Sequence, residues 1–318
     1  MYAIPETIDF WVLFYRKDIL DSLNISVPDT MEEVRRILPQ LHRRGLDFNS
    51  HVANFIGFKP FAATMPFIFQ HGGDLFGEDP TSTTINTSEA LRGITELTEN
   101  FTIYNMPFEV QSFYQGFRDG RIPLGISNYG MLNLLINAAP EISGLWGIAL
   151  YPGVENQNGI IERWTSGAAE SCIIFRNGNR QQDAWKFLDW WTSTPVQIEF
   201  AYTLQSTLGN EYLWNPANIE ALKAAPWIQK YSNIIQQVNW IKEPPRVLGG
   251  YMVEREISNA INAIVLQGES VRSAVDEAVK RINREVIRRL EEFGYVYDEH
   301  LVKPVVVPDI YTIKEWIK

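Results

Sequence analysis

The sequence contains little cysteine and histidine and no long apolar run. Its 318 residues include one cysteine and four histidines. The single cysteine, Cys172, excludes an internal disulfide, and no basic side chain or helix start lies beside it, so a reactive thiol is not expected. No second histidine or cysteine stands at ligand spacing from His71, which is predicted to cap a helix rather than bind metal. No apolar run is long enough to cross a bilayer.

Positive charge is also scarce. Lysine and arginine number 28 against 38 aspartates and glutamates, which gives a formal net charge of −10. The densest basic cluster, Lys280 to Arg289, is interleaved with glutamates and is typical of a solvated helix face. Because no basic stripe is present to neutralise phosphates, the sequence argues against a nucleic-acid partner.

The motifs of common enzymes are absent. There is no G-x-S-x-G turn, no Gly-Lys-Ser phosphate loop, no paired cysteine and no His-x-x-x-His. We therefore predict that the chain is not an enzyme, and we expect neither a metal nor a cofactor. One catalytic alternative stays open, in which Asp9 and Glu170 form the carboxylate pair of a glycoside-cleaving enzyme.

Aromatic residues, by contrast, are abundant. The sequence is 45% hydrophobic and 13% aromatic, with 10 Trp, 13 Tyr and 17 Phe. This is a globular composition, and the chain is long enough for two lobes with cores. Aromatic side chains suit both a core and a sugar-stacking cleft, and composition alone leaves both open.

The start of the chain has the clearest pattern. Pro5 and Asp9 precede an unbroken apolar run from Phe10 to Tyr15, which predicts a buried strand. The segment Arg16-Lys17-Asp18 is expected to form the turn that closes this strand.

Capping residues and periodicity predict the helices. Thr30 and Glu33 form a capping box, and Gly72-Gly73 closes a helix that a proline opens. Asn179 is predicted to cap a helix over 180–193. The inner face of that helix would carry Ala184, Phe187, Leu188 and Trp191. Further helices are predicted at 254–267 and from Ser270, and strands at 122–126, 146–150 and 172–175.

Several short motifs resemble the sugar-binding type of solute-binding protein that serves ABC importers. Tyr2 to Asp18 match Y-x-[IL]-P-x-x-x-D-x-x-x-L-x-Y-x-[KR]-D, which resembles the family's crossing segment through the hinge. The other matching segments are Met65–Gly73, Phe117–Ile126, Ala184–Ser193 and Gly268–Asn283. They occur in the family's order and spacing, from Tyr2 to about Phe293.

The resemblance implies an α/β, periplasmic-binding-protein-like two-lobed fold of type II, with the first lobe incomplete. Residues 10–167 and 226–293 would form the second lobe. Residues 1–9 and 168–225 would form the hinge and part of the first lobe, and 294–318 a C-terminal extension. Because the chain would begin at the hinge, we expect it to bind sugar weakly or not at all, and to self-associate through exposed apolar surface.

The resemblance also implies a function. The protein would capture a sugar or oligosaccharide in an interlobe cleft and deliver it to the membrane permease of an ABC importer. It would be extracellular or periplasmic, anchored to the cell surface as a lipoprotein. The alternative is a solute-binding-like module of a larger cell-surface sensor or interaction protein.

The candidate ligand-binding residues are aromatic or acidic and lie where strands end and turns begin. Asp9 matches an acidic position of the family's crossing strand, although it could instead hold the hinge turn. Trp11 fits burial in a sheet, whereas Trp164 lies beside Ser166-Gly167 and is the better stacking candidate. The full set is Asp9, Trp11, Phe61, Tyr129, Trp164, Glu170 and Tyr251.

Overall fold

Helices and short strands alternate along the chain. The computed structural model describes residues 3–50, 59–244, 247–298 and 300–307. The strands of this part are β1 (Ile4–Phe10), β2 (Val12–Arg16), β3 (Phe48–Asn49), β4 (Leu124–Ser127), β5 (Trp146–Ala149), β6 (Val154–Glu155), β7 (Ile161–Glu162), β8 (Gly167–Cys172), β9 (Val296–Tyr297) and β10 (His300–Leu301). Its α-helices are α1 (Lys17–Leu23), α2 (Met31–His42), α3 (Lys59–Gln70), α4 (Ser88–Thr102), α5 (Phe113–Arg118), α6 (Tyr129–Ala138), α7 (Gln181–Trp191), α8 (Thr194–Leu208), α9 (Ile219–Ala224), α10 (Pro226–Lys230), α11 (Tyr251–Gln267) and α12 (Val271–Glu292). Short 3₁₀ helices lie at Pro140–Ile142, Asn210–Tyr212 and Ser232–Trp240.

The contacts divide the chain into two compact units. Unit 1 comprises Met1–Val27, Tyr114–Tyr151 and Gly167–Ile241, and unit 2 comprises Pro28–Phe113, Pro152–Ser166 and Lys242–Lys318. These boundaries differ from the predicted lobes, which rest on the resemblance and not on contacts. The assignment of lobes and hinge therefore stays a prediction.

The core of unit 1 contains an antiparallel sheet with β2 between β4 and β5. Phe14 of β2 lies opposite Gly125 on one side and Ile148 on the other. Its buried ring packs edge-on against Phe117, with the ring centroids 6.5 Å apart. The predicted buried strand is therefore present, but it begins at Val12, because Trp11 lies between β1 and β2.

The prediction of a turn at Arg16-Lys17-Asp18 is wrong. Arg16 is the last residue of β2, and α1 begins directly at Lys17. The buried Arg16 guanidinium donates to the carbonyl oxygens of Phe117 (2.9 Å) and Arg118 (3.1 Å) and pairs with Asp18 at 2.7 Å. The hydrogen bond from Arg16 lowers the pKa of the Asp18 carboxyl. A carboxylate in the first helical turn also favours helix over turn.

A second antiparallel pair in unit 1 joins β1 to β8. Asp9 lies opposite Ala168, and Thr7 lies opposite Glu170. The strand predicted at 172–175 is wrong, because pairing with β1 places the strand at Gly167–Cys172. Beyond that pairing, Phe175 is 75% exposed. Apolar character alone does not make a strand where no described strand supplies hydrogen bonds.

Helix α7 starts later than predicted and exposes much of its apolar surface. Its N-cap is Arg180, which makes no side-chain capping bond, so the predicted cap at Asn179 is wrong. Of the predicted inner face, Leu188 is buried, but Phe187 is 56% exposed and its ring lies 5.6 Å from that of Trp190. Exposed large apolar side chains of unit 1 include Ile173, Phe175, Trp185, Phe187, Trp190 and Tyr202.

Unit 2 is built mainly from helices. Its capping signals follow the prediction, although α11 begins at Tyr251 and not at the predicted Glu254. Thr30 Oγ1 accepts from the Glu33 amide at 3.1 Å, and Glu33 Oε2 accepts from the Thr30 amide, which confirms the capping box at α2. Helix α11 ends at Gly268, whose φ is +74°, and Ser270 caps α12 through the Ser273 amide. No described helix has the length and apolar content that crossing a membrane requires.

Candidate functional site

The described part of unit 2 contains a cavity of about 750 Å³ around the C-terminal end of α3. Its walls come from the end of α3 and the loop that follows it, from Arg92 of α4, from the β6–β7 hairpin and Trp164, and from Lys242. Gly72 has a φ of +81° and turns the chain sharply after the helix, as the predicted Gly-Gly closure requires. Helix, hairpin and loop residues thus form the cavity together.

Trp164 is the aromatic wall of this cavity. Its indole Nε1 donates to Glu162 Oε2 at 2.6 Å, and its carbonyl accepts from Gln70 Nε2 at 3.0 Å. Glu162 also accepts from Asn156 Nδ2 at 2.9 Å. The half-buried indole is therefore fixed by its polar edge, which leaves ring surface facing the cavity that it lines.

Lys242 supplies the second fixed group. Its Nζ pairs with Asp74 at 2.7 Å and lies 4.6 Å from the centroid of the Phe69 ring. Its backbone amide donates to the Thr165 carbonyl at 2.8 Å. Charge and ring together hold the lysine against the cavity wall.

His71 lines the cavity and joins a partly buried charge network. Its Nε2 lies 2.5 Å from Glu96 Oε2, and Arg35 Nη1 lies 2.8 Å from Glu96 Oε1. Burial opposes ionisation of Glu96, but the hydrogen bond from His71 and the charge of Arg35 outweigh it and lower the pKa of the carboxyl. His71 was expected to cap a helix, but its side chain instead bonds to Glu96 on the neighbouring helix α4.

The cavity offers the chemistry that hydroxylated rings need. Trp164 presents an apolar face, while Glu162, Asn156, Asp74 and Lys242 present acceptors and donors. Small-molecule sites of this size combine apolar walls with a few placed polar groups. Among the described residues, no group of three side chains could hold a metal ion.

In unit 1, Asp9 is held by the N-terminus of α6. Asn128 caps this helix by accepting from the Gly130 amide at 3.2 Å, and its Nδ2 donates to Asp9 Oδ2 at 2.6 Å. Asp9 Oδ1 also accepts from the Phe10 amide at 3.0 Å. These bonds fix the carboxylate at the end of β1.

The other predicted residues of unit 1 lie around Asp9. Glu170 is exposed on β8, and the register places it diagonally from Asp9 on the same face of the β1–β8 pair. Trp11 is half-buried between β1 and β2 rather than inside a strand. Tyr129 is the first residue of α6 and follows Asn128 directly, while its side chain lies outside the described residues.

Of the remaining predicted residues of unit 2, Tyr251 does not line the cavity that contains Trp164. Tyr251 begins α11, and its hydroxyl lies 2.5 Å from Glu285 Oε1, with the Arg289 guanidinium 6.0 Å from its ring. Hydrogen bonds from Arg288 and Tyr251 lower the pKa of Glu285 to about 2. Phe61 lies on α3, with its side chain outside the described residues.

Sequence reasoning missed most of the polar wall of the cavity. Asp74 and Lys242 lie in loops, and Glu162 ends the two-residue strand β7, so no periodicity marks any of them. A signal was available at the Gly-Gly helix closure, because the polar residues next to such a turn are brought close to one another.

Residues 2–198 match the bacterial extracellular solute-binding protein family. The chain belongs to this family. The family consists of binding proteins, so the prediction that the chain is not an enzyme is confirmed, and it is a solute-binding protein of the ABC transporter type. A comparison with curated protein sequences finds no match.

Solved structures of similar fold confirm the α/β periplasmic-binding-protein-like architecture. The sugar-binding protein MalE from Xanthomonas citri is 20% identical, with a TM-score of 0.73, over 93% of this chain and 73% of that protein. The maltose-binding periplasmic protein MalE from Listeria monocytogenes, in complex with maltose, is 20% identical with a TM-score of 0.69, over 93% of this chain and 74% of that one. The GacH receptor of Streptomyces glaucescens is 15% identical with a TM-score of 0.67, over 90% and 71%.

Proposed function

We propose that this solute-binding protein captures a sugar or oligosaccharide and delivers it to the membrane permease of an ABC importer at the cell surface or in the periplasm. The observation that carries the proposal is the fixed indole of Trp164 in a cavity of about 750 Å³ rimmed by carboxylate, amide and ammonium groups. Family membership and the sugar-binding neighbours support the same ligand class.

Trp164 provides the apolar half of sugar recognition. Sugar rings present C–H groups on their faces, and a flat aromatic surface removes these from water. Because Glu162 already accepts the indole hydrogen, the ring need not be ordered when the sugar binds. Such preorganisation lowers the entropic cost of binding.

The polar half of recognition is divided among carboxylates and amides. A carboxylate has about four acceptor positions, so Glu162 keeps capacity for sugar hydroxyls beside its bonds to Trp164 and Asn156. Separately, we propose that Asp9 of unit 1, held by Asn128, is a ligand-binding residue.

Saturation-transfer NMR with maltose, maltotriose and cellobiose tests the proposal, because it detects binding even at millimolar dissociation constants. At least one sugar should show transfer, and Trp164→Ala should weaken its binding about tenfold through loss of the stacking surface. The matched control is Trp190→Ala, since Trp190 is 54% exposed on α7 and does not line the cavity. No transfer from any sugar, or equal losses in both variants, would refute the proposal.

A further inference from the structure

The described part of unit 1 contains a second cavity of about 620 Å³, which we call the β5 cavity. It is lined by Trp146 and Gly147 of β5, by Tyr15 of β2, and by Lys230 and Tyr231 at the end of α10. Tyr15 pairs with Gly147 across the sheet. A Cβ added to Gly147 would lie only 2.5 Å from the Tyr15 hydroxyl oxygen. Glycine is needed there to admit the phenol ring.

Trp146 carries the first unusual feature of the β5 cavity. It is 5% exposed, and its ring stacks on Tyr231 with centroids 5.7 Å apart and planes inclined by 21°. Among the described residues, its Nε1 has no hydrogen-bond partner. The nitrogen itself is buried, so Trp146 offers the cavity the surface of its stacked ring and not this donor.

Charge is the second feature. Lys17 and Lys230 both line the β5 cavity, and neither has a carboxylate within 4.0 Å among the described residues. The Lys230 ammonium lies 5.5 Å from the Tyr231 ring centroid. The described lining contains no Asp or Glu, although Asp21 is near enough to Tyr15 to help burial raise the pKa of that phenol. The cavity is thus locally cationic in a chain of net charge −10.

The tyrosines add further donors. Burial and the nearby Tyr15 raise the pKa of Tyr231 to about 12, so its hydroxyl remains protonated at physiological pH. The amides of Gln205, Asn210 and Asn233 line the same cavity. A volume of about 620 Å³ exceeds what an inorganic anion fills and lies in the range of small-molecule sites.

We propose that the β5 cavity binds an acidic sugar of the uronic acid type. Its carboxylate lies toward Lys17 and Lys230, and an oxygen of the sugar accepts the Tyr231 hydroxyl hydrogen beside the stacked ring of Trp146. The site is separate from the cavity of Trp164, and none of its lining residues belongs to the ligand-binding residues proposed above.

Calorimetric titration of this chain with D-glucuronate, D-glucose and acetate tests the proposal. Glucose has the same ring without the carboxylate, and acetate has the carboxylate without the ring. Glucuronate should bind at least tenfold more tightly than either, and its affinity should fall with salt because ammonium groups attract the carboxylate. Equal binding of glucuronate and glucose, or no heat from glucuronate at millimolar concentration, would overturn it.

Two conservative variants locate the site. Tyr231→Phe removes the phenol hydroxyl and keeps the ring, and Lys230→Gln removes one charge; each should weaken glucuronate binding about tenfold. Trp190→Phe is the matched control and should leave affinity unchanged, as should Trp164→Ala, which tests the other cavity. Unchanged affinity in both Lys230→Gln and a folded Tyr231→Phe would overturn the assignment.

Discussion

Helices α3 and α4 of unit 2 approach so closely that one glycine decides their separation. Gly93 lies on α4, and a Cβ added to it would lie 2.4 Å from the Phe67 carbonyl oxygen and 2.8 Å from the Ile68 nitrogen on α3. These are backbone atoms of a helix, so no side chain can rotate away. In Gly93→Ala the helices must separate by at least 0.6 Å, from 2.4 to the 3.0 Å below which real Cβ contacts essentially do not occur.

The sign of the effect follows from two opposing terms. Alanine is favoured over glycine in a helix interior by about 1 kcal/mol. Overpacking a filled interface costs about 1–3 kcal/mol, and contact with a rigid backbone belongs at the upper end of that range. We expect Gly93→Ala to lower the free energy of unfolding by about 2 kcal/mol. For a chain of 318 residues this lowers the melting temperature by roughly 3 °C.

Thermal and urea unfolding followed by circular dichroism measure this change. The matched control is Gly130→Ala on α6, where the added Cβ meets only the side-chain oxygen of Asn128, at 3.3 Å. That variant should stay within about 1 kcal/mol of the parent, because a side chain can shift. An unchanged or raised melting temperature for Gly93→Ala would refute the close approach of α3 and α4. Since α3 leads into the cavity of Trp164, sugar binding should weaken together with stability.

Three further predictions test charge, capping and exposed surface. Arg35 helps to hold the pKa of Glu96 below its ordinary value, so the stability that this carboxylate adds is present above about pH 5 and is lost on acidification. The free energy of unfolding, measured with urea at pH values from 6 to 3, should therefore decrease less steeply for Glu96→Gln than for the parent. Thr30→Ala should cost about 1 kcal/mol in the same assay, because the Glu33 amide loses its capping acceptor, and an unchanged midpoint would contradict the capping box. Trp190 is an exposed apolar side chain, so Trp190→Ser should reduce any concentration-dependent self-association seen by sedimentation velocity. Unaltered association would show that Trp190 is not part of the contact between copies.

Local signals in the sequence located the helix ends well. The capping box of Thr30, the Gly-Gly closure after α3 and the Ser270 cap of α12 each depend on residues within a few positions of one another. Such features require no knowledge of the tertiary fold. These helix ends were therefore predictable, whereas the start of α11 at Tyr251, which has no side-chain cap, was predicted three residues late.

The errors arose where distant segments decide the structure. The β8 strand lies where β1 supplies hydrogen bonds, not at the most apolar residues, so Phe175 is exposed. On α7 the periodicity predicted that Phe187 would be buried, but Phe187 is exposed. Helical periodicity shows which residues share a face, but it does not show whether another element packs against that face. Neither outcome follows from the local sequence.

Membership of the family determines the fold, but it does not determine which side chains line the cavity of this chain. A fold shared at about 20% identity tolerates many substitutions. Trp164 and Lys242 lie in loops and Glu162 ends the short strand β7, and their contacts fix them in the arrangement that this sequence encodes. Ligand specificity must therefore be measured on this chain, and Trp164 is the residue at which that measurement should begin.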